Sequence, residues 1–250
     1  MKRIYIYLLI ISFITALIYI YSIHKKCYDP NGYHSIHYDT QHIQRKVYKC
    51  ILNSKETNKL LNIKDILVPS MIDNTYCDYL TTYYYNIKDF TLTSQYNPYH
   101  RIQIRTYVFN PNQYLELKTL NNKIRFKIKN YELTNIHKIE EKYIKPIQIF
   151  LLKVKNKKIK PLFINTYKRY SFIYLRNPDI RITIDTNITF TKTKFTHTIK
   201  ENIMEIKVPY NVSINEIHKY IQNMNNSIEG QIKLQSFSKV KYFNSLVGNK

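Results

Sequence analysis

Between Arg101 and Ile128, three short runs alternate strictly between polar, mostly charged, side chains and apolar ones. In RIQIR, Arg101, Gln103 and Arg105 share one face while Ile102 and Ile104 share the other. In YLELK, Glu116 and Lys118 oppose Leu115 and Leu117, and in KIRFKI, Lys123, Arg125 and Lys127 oppose Ile124, Phe126 and Ile128. A period of two is the signature of a β-strand with one buried face. The pattern returns in YKRYS (Tyr167, Arg169, Ser171), RITID (Arg181, Thr183, Asp185) and MEIKV (Glu205, Lys207). The polar face is mainly cationic, with few acids. Two architectures accommodate such a face: a sheet with one wet side, or a barrel whose lumen carries the charges and is filled by water or a polyanion.

Strand patterns cover residues 44–52, 79–85, 101–109, 113–120, 123–129, 163–174, 179–190 and 203–208, and helical patterns cover 54–63, 136–154 and 214–223. Eight strands in one meander, with helices at its start, middle and end, predict an α+β domain built on a closed or nearly closed antiparallel eight-stranded barrel. A chain of 250 residues holds one such core, and no break in composition argues for two.

Charge narrows the partners. With 39 Lys and Arg against 17 Asp and Glu, the formal net charge is +22, a field that favours polyanions such as nucleotides, polyphosphate, nucleic acid or anionic lipid. Abundant Ile, Lys, Asn and Tyr beside three Gly and no Trp also match AT-rich coding, which inflates lysine without functional cause. Cys27, Cys50 and Cys77 lack metal-ligand spacing and read as small thiols, not a disulfide framework.

Ahead of the domain, Ile4 to Ile23 carries no charge, is flanked by tyrosines at both ends, and is followed by His24, Lys25 and Lys26. Its length spans a bilayer, and no small-residue cleavage site follows, so residues 1–26 are read as a single-pass membrane anchor. Residues 27–42 form a polar tether, and residues 43–250 the folded domain.

The ordered motifs resemble the VTC domain, the polyphosphate polymerase domain of the vacuolar transporter chaperone complex, within the CYTH or triphosphate tunnel metalloenzyme superfamily. RKVYKCIL resembles the family's opening strand, with Lys49 at the lysine position, and YLTTYYYNIKDF its next strand and turn. RIQIRTY resembles R-x-R-x-Y, YLELKT resembles F-x-E-x-K, and KIRFKI the basic run that follows. TYKRYSF resembles Y-x-R-x-x-F, while IRITIDTNITF and IMEIKVP resemble two late strands and FSK the closing S-K pair, Ser238 and Lys239. Three places depart: Gln103 stands where the family has arginine, Val47 where its first strand has an acid, and the closing segment reads FSKVKY where the family has FSKY.

The resemblance implies an eight-stranded tunnel that binds ATP and a growing inorganic polyphosphate, with Mn²⁺ or Mg²⁺ bridging phosphate oxygens. It implies catalytic roles for Lys49, Arg105, Lys118, Arg169 and Lys239, and phosphate contacts from Arg101, Arg125, Tyr167, Arg181, Lys207 and Ser238. Metal roles fall to Glu205 and Glu116, although Glu116 equally suits orienting its neighbouring cations. These residue types fit phosphoryl transfer, which asks for positioning and for neutralising charge spread over several oxygens. Guanidinium forks grip phosphate bidentately, and lysines act as point charges. The domain is expected to face the cytosol, where ATP is abundant, with membrane-complex subunits as further partners. A triphosphatase of the same fold is the alternative, but such hydrolases carry E-x-E pairs on the first strand, where this chain has Arg45, Val47 and Lys49. A polyphosphate-binding subunit without activity is another. Nucleic acid is not expected, because no recognition motif accompanies the charge.

Overall fold

A computed structural model gives the fold and describes residues 14–15, 45–63, 65–70, 77–90, 101–109, 113–118, 123–134 and 136–248. The anchor and tether lie outside these residues apart from Ile14 and Thr15, and no described helix is long and apolar enough to cross a membrane. The strands are β1 (Arg45–Leu52), β2 (Leu67–Pro69), β3 (Cys77–Tyr85), β4 (Arg101–Tyr107), β5 (Gln113–Lys118), β6 (Lys123–Lys129), β7 (Glu132–Leu133), β8 (Phe163–Tyr174), β9 (Asn177–Lys192), β10 (Phe195–Thr198) and β11 (Asn202–Pro209). Four helices follow the same order: α1 (Ser54–Asn62), α2 (Glu141–Lys155), α3 (Ile214–Ile228) and α4 (Lys239–Gly248).

All eight expected strands form, and one antiparallel sheet holds them in the order β1-β11-β9-β8-β3-β4-β5-β6-β7, with β2 on β8 and β10 on β9. The expected barrel is not closed by hydrogen bonds, since no described strand pair joins β1 to β6 or β7. Instead the free edge of β1 is partly covered by the chain before α4, where Leu234 bridges Cys50 and the Gln235 N–H donates to the Lys49 carbonyl at 2.8 Å. Cys50 is a free buried thiol whose pKa burial pushes up to about 12. Cys77 is disulfide-bonded, contrary to the reading of three thiols.

The aliphatic faces of the strands lie beneath the helices. Ile104, Leu117 and Phe126 pack with Ile147, Phe150 and Leu151 of α2. On the other half of the sheet, Ile182 and Ile206 pack with Leu60 of α1 and with Ile217, Ile221 and Met224 of α3. Each helix meets the sheet along one stripe of i, i+3, i+4 or i+7 spacing. Both α1 and α3 begin with a capping box, Asn53 with Glu56 and Ser213 with Glu216, which satisfies two otherwise orphaned amides at each start.

At the far end of α2, Lys157 has φ 55°. Its N–H donates to the Val154 carbonyl, and the Lys158 N–H reaches the Lys153 carbonyl at 2.9 Å. This is a Schellman close with lysine where glycine is usual. Lys157→Gly is therefore expected to stabilise the fold by roughly 0.5–1 kcal/mol, the relief of the left-handed Cβ less glycine's entropy. Urea denaturation of both chains checks this.

A second left-handed residue shapes the sheet. Asn187 has φ 53°, and the β8–β9 register shifts between Thr166 and Lys168, so Asn187 and Ile188 together oppose Tyr167. The result is a β-bulge, which bends the strands and re-aims side chains.

A cationic inner face as candidate active site

The charged face of the sheet is its inner face. Along the strand path, Lys49 on β1 lies five strands from Arg101 on β4, a separation of about 24 Å in a flat sheet. Yet the charge of Arg101 helps to lower the pKa of Lys49. Glu205 on β11 works against burial to raise the pKa of Lys118 of β5, and Arg125 of β6 helps to lower that of Arg181 of β9, each again five strands away. Only a strongly curled sheet brings all three pairs within electrostatic reach.

Two carboxylates organise this face. Glu116 is fully buried and accepts from the Gln103 amide at 2.5 Å, from Arg125 Nε at 2.9 Å and Nη2 at 2.6 Å, and pairs with Lys123 at 2.6 Å and Arg105 at 3.5 Å. Burial raises its pKa, but Arg105, Lys123 and Arg125 outweigh that and hold it well below the usual range. Asp185, also fully buried, takes a bidentate grip from Arg169 at 2.6 and 2.7 Å and a third donor from Lys239 at 2.6 Å. Lys239 also stands 3.5 Å over the Tyr167 ring, which the bulge presents to it.

The third carboxylate differs. Glu205 has only loose ion pairs: Lys207 at 3.4 Å, Lys49 at 3.8 Å and Arg169 at 4.0 Å. Burial raises its pKa, but Lys207, Arg169, Lys49 and Lys239 keep it well below normal, so it is ionised. Lys49 is positioned by donating to the Phe237 carbonyl at 2.8 Å.

Among the described residues, several cations lack a counter-ion within ion-pair distance. Arg101 and Lys118 make no hydrogen bond or ion pair with a described residue, and Arg181 Nε, Arg45 Nε and Arg45 Nη2 are buried without an acceptor. Burial, then Arg169 and Arg45, lowers the Arg181 pKa to about 10. Burial pushes Lys207 down to about 7 and Lys118 to about 8. Buried, unpaired guanidiniums are costly unless an anion joins them.

The face, with Lys239 reaching it from α4, gathers the charged residues named from the sequence, and Ser238, next to Lys239, accepts from the Lys241 N–H at 3.4 Å at the start of α4. Lys123, Arg45 and Asp185 belong to the site and were absent from the expected set. Each shares a face with a named residue two or four positions away (Arg125, Lys49, Arg181), so the alternation itself carried the signal. At the departing positions, Gln103 supports Glu116 but leaves its own Oε1 unpartnered, and Val47 is half exposed beside Lys49. Beyond the charges, Tyr84, Phe163, Phe190 and Phe243 of α4 fill one end of the inner face, with Phe163 stacked on Tyr84 at 4.3 Å and on Phe243 at 4.1 Å.

A divalent ion would fit one of these carboxylates. Both oxygens of Glu116 accept hydrogen bonds, and so do those of Asp185, whereas Glu205 has only ion pairs at 3.4–4.0 Å among the described residues and is the carboxylate most open to a cation. Glu116 accordingly orients its cations. No described group of three His, Cys, Asp or Glu surrounds Glu205. An ion there would draw its remaining ligands from phosphates and water, as hard cations do.

The sequence profile of the VTC domain matches residues 44–246. The chain belongs to the VTC domain family. No curated protein matches it by sequence. Among solved structures, it is similar to the PH1819 protein from Pyrococcus horikoshii OT3, at 14% identity and a TM-score of 0.44, over 82% of this chain and 98% of that one. It is also similar to the inorganic triphosphatase NE1496, at 11% identity and a TM-score of 0.26, over 68% of this chain and 80% of that one.

For this VTC domain the depressed lysines predict a pH dependence. A bound polyanion restores the Lys118 ammonium, so above about pH 8 binding must take up a proton. Affinity for inorganic triphosphate, measured by calorimetry with EDTA present, is expected to fall by up to about tenfold per pH unit above that point. In the free protein the sign reverses: the folded state holds fewer protons than the unfolded between about pH 8 and 10.5, so stability rises with pH there. Affinity that stays flat from pH 7 to 9.5 would remove Lys118 from the anion site.

Proposed function

We propose that this chain transfers the terminal phosphate of ATP to a growing inorganic polyphosphate held within the curled sheet, which acts as a basic tunnel. Cations from strands five places apart in the sheet surround one ionised carboxylate that hydrogen bonds do not close off, and this observation carries the reading. Transfer between phosphates requires in-line positioning and neutralisation of charge on several oxygens. Arg45, Arg181, Arg101 and Lys118, which have no ion pair among the described residues, grip the two polyanions. Arg169 and Lys239 are aimed by Asp185, and Arg105 and Arg125 by Glu116, so their donors are fixed before substrate arrives. Lys49 and Lys207 flank Glu205, which would hold Mn²⁺ or Mg²⁺, and that ion would supply neutralisation of phosphate charge. The N-terminal segment holds the chain in a membrane, with the domain on the cytosolic side near ATP.

Incubating the full-length chain in detergent with ATP and Mn²⁺ and resolving the products on a gel tests this. A ladder of polyphosphate is the expected result, and release of free phosphate alone would replace transfer with hydrolysis. A second reading, polyphosphate binding without transfer, draws on Val47 and on the unpartnered Gln103 oxygen; it predicts tight polyphosphate binding and neither product.

A further inference from the structure

The far end of α2 carries a second basic surface that the inner face does not use. Lys153, Lys155, Lys157, Lys158 and Lys160 fall within eight residues. Among described residues only Lys155 has an acidic partner, Glu132 at 3.5 Å, and that pair ties the end of α2 to the β6–β7 hairpin. Beside these lysines stand apolar side chains in water: Ile149 and Leu152, one turn apart on α2, are 42% and 57% exposed, and Leu162 is 48% exposed. Tyr131, at the tip of the tied hairpin, is exposed as well and has φ 65°. A merely solvated charged face has no use for four large apolar groups among its lysines. The left-handed lysine at position 157, where glycine would relieve strain, keeps one more charge at the tip of the turn.

We propose that this end of the domain docks on the anionic headgroups of a lipid bilayer, with the lysines against lipid phosphates and Leu152, Ile149, Leu162 and Tyr131 entering the interface. Basic residues mixed with exposed aliphatic and aromatic ones match an interface that offers charge above and hydrocarbon beneath. A soluble polyanion would satisfy only the lysines and gain nothing from the apolar groups. The distance is permissive, since the stretch 27–42 reaches at most about 55 Å from the apolar N-terminal segment. A bilayer entered by that segment stays close to the domain, at high effective concentration.

The chain has no tryptophan, so Leu152→Trp introduces a single reporter at an exposed position. The full-length variant is mixed with vesicles of phosphatidylcholine alone or with about 30% phosphatidylserine, and emission and quenching by brominated lipids are read. A blue shift and strong quenching are expected with the anionic vesicles and not with the neutral ones. Adding Lys153→Glu, Lys157→Glu, Lys158→Glu and Lys160→Glu should weaken the lipid titration by more than tenfold, at about fivefold for each lysine near the surface. Binding of inorganic triphosphate to the inner face should stay unchanged in that variant. Equal responses in both vesicle types, no response in either, or a blue shift produced by soluble polyphosphate instead of lipid would each overturn the assignment.

Discussion

Glu116→Gln is expected to destabilise the fold by about 2–4 kcal/mol, one of the two largest effects of a single substitution here. Glutamine keeps the shape of the side chain but withdraws the charge on which Arg105, Lys123, Arg125 and the Gln103 amide converge. Arg105 is nearly buried and loses its only acidic partner among the described residues, whereas Lys123 and Arg125 are over a third exposed and regain water, which keeps the figure below the full cost of breaking a buried pair. The pH dependence has the sign of a depressed carboxylate. Its contribution is fully present above the unfolded value of about 4.5 and is lost as pH falls through the lower folded value. Urea denaturation at pH 7 and at pH 4 measures both effects in wild type and variant. A loss at pH 7 below about 0.5 kcal/mol would mean that the cluster is not held by this carboxylate.

Glu205→Gln separates chemistry from folding. Its ion pairs are loose, so the fold should lose little, while turnover of ATP should fall by about a hundredfold or more if this carboxylate holds the metal. Binding of polyphosphate should persist, because the unpaired arginines and lysines remain and one negative charge has left their midst. The measurement is product formation from ATP with Mn²⁺ beside a binding titration of polyphosphate. Chain synthesis at the wild-type rate would take the metal away from Glu205, and loss of binding together with turnover would give Glu205 a structural role instead.

The long strands were legible because a period of two with one apolar face has few other readings, and all eight appear within a few residues of their expected bounds. The short ones, β2, β7 and β10, were not, since two to four residues are too few to show a period. The helix expected from residue 136 begins at Glu141, after a 3₁₀ turn over Ile136–Lys138, and α4 was missed altogether. Inner and outer faces followed from the alternation; pairing across the curled sheet did not. Nothing along the chain tells that Glu116 is spent on three cations and Gln103 while Glu205 is left loosely held, because those partners lie on neighbouring strands whose register only the folded sheet defines.

The bulge at Asn187 acts on β9 as a frameshift acts on a message. Along the chain, Ile180, Ile182, Ile184, Ile188 and Phe190 share one parity and would all be read in a single frame. In the sheet, the first three pack outward beneath α1 and α3, whereas Ile188 and Phe190 pack inward with Tyr84 and Phe163. One residue in the left-handed region changes which parity means inside, so one strand writes charge onto the inner face with its odd positions and aromatic filling with its even ones. Asparagine can hold that conformation at little cost. Excising it would restore one-to-one pairing with Asp185 still opposite Arg169 and Phe190 still inward beside Phe163, so the pairing absorbs this deletion at the loss of the bend, whereas removing a residue away from the bulge would turn one half of the strand inside out.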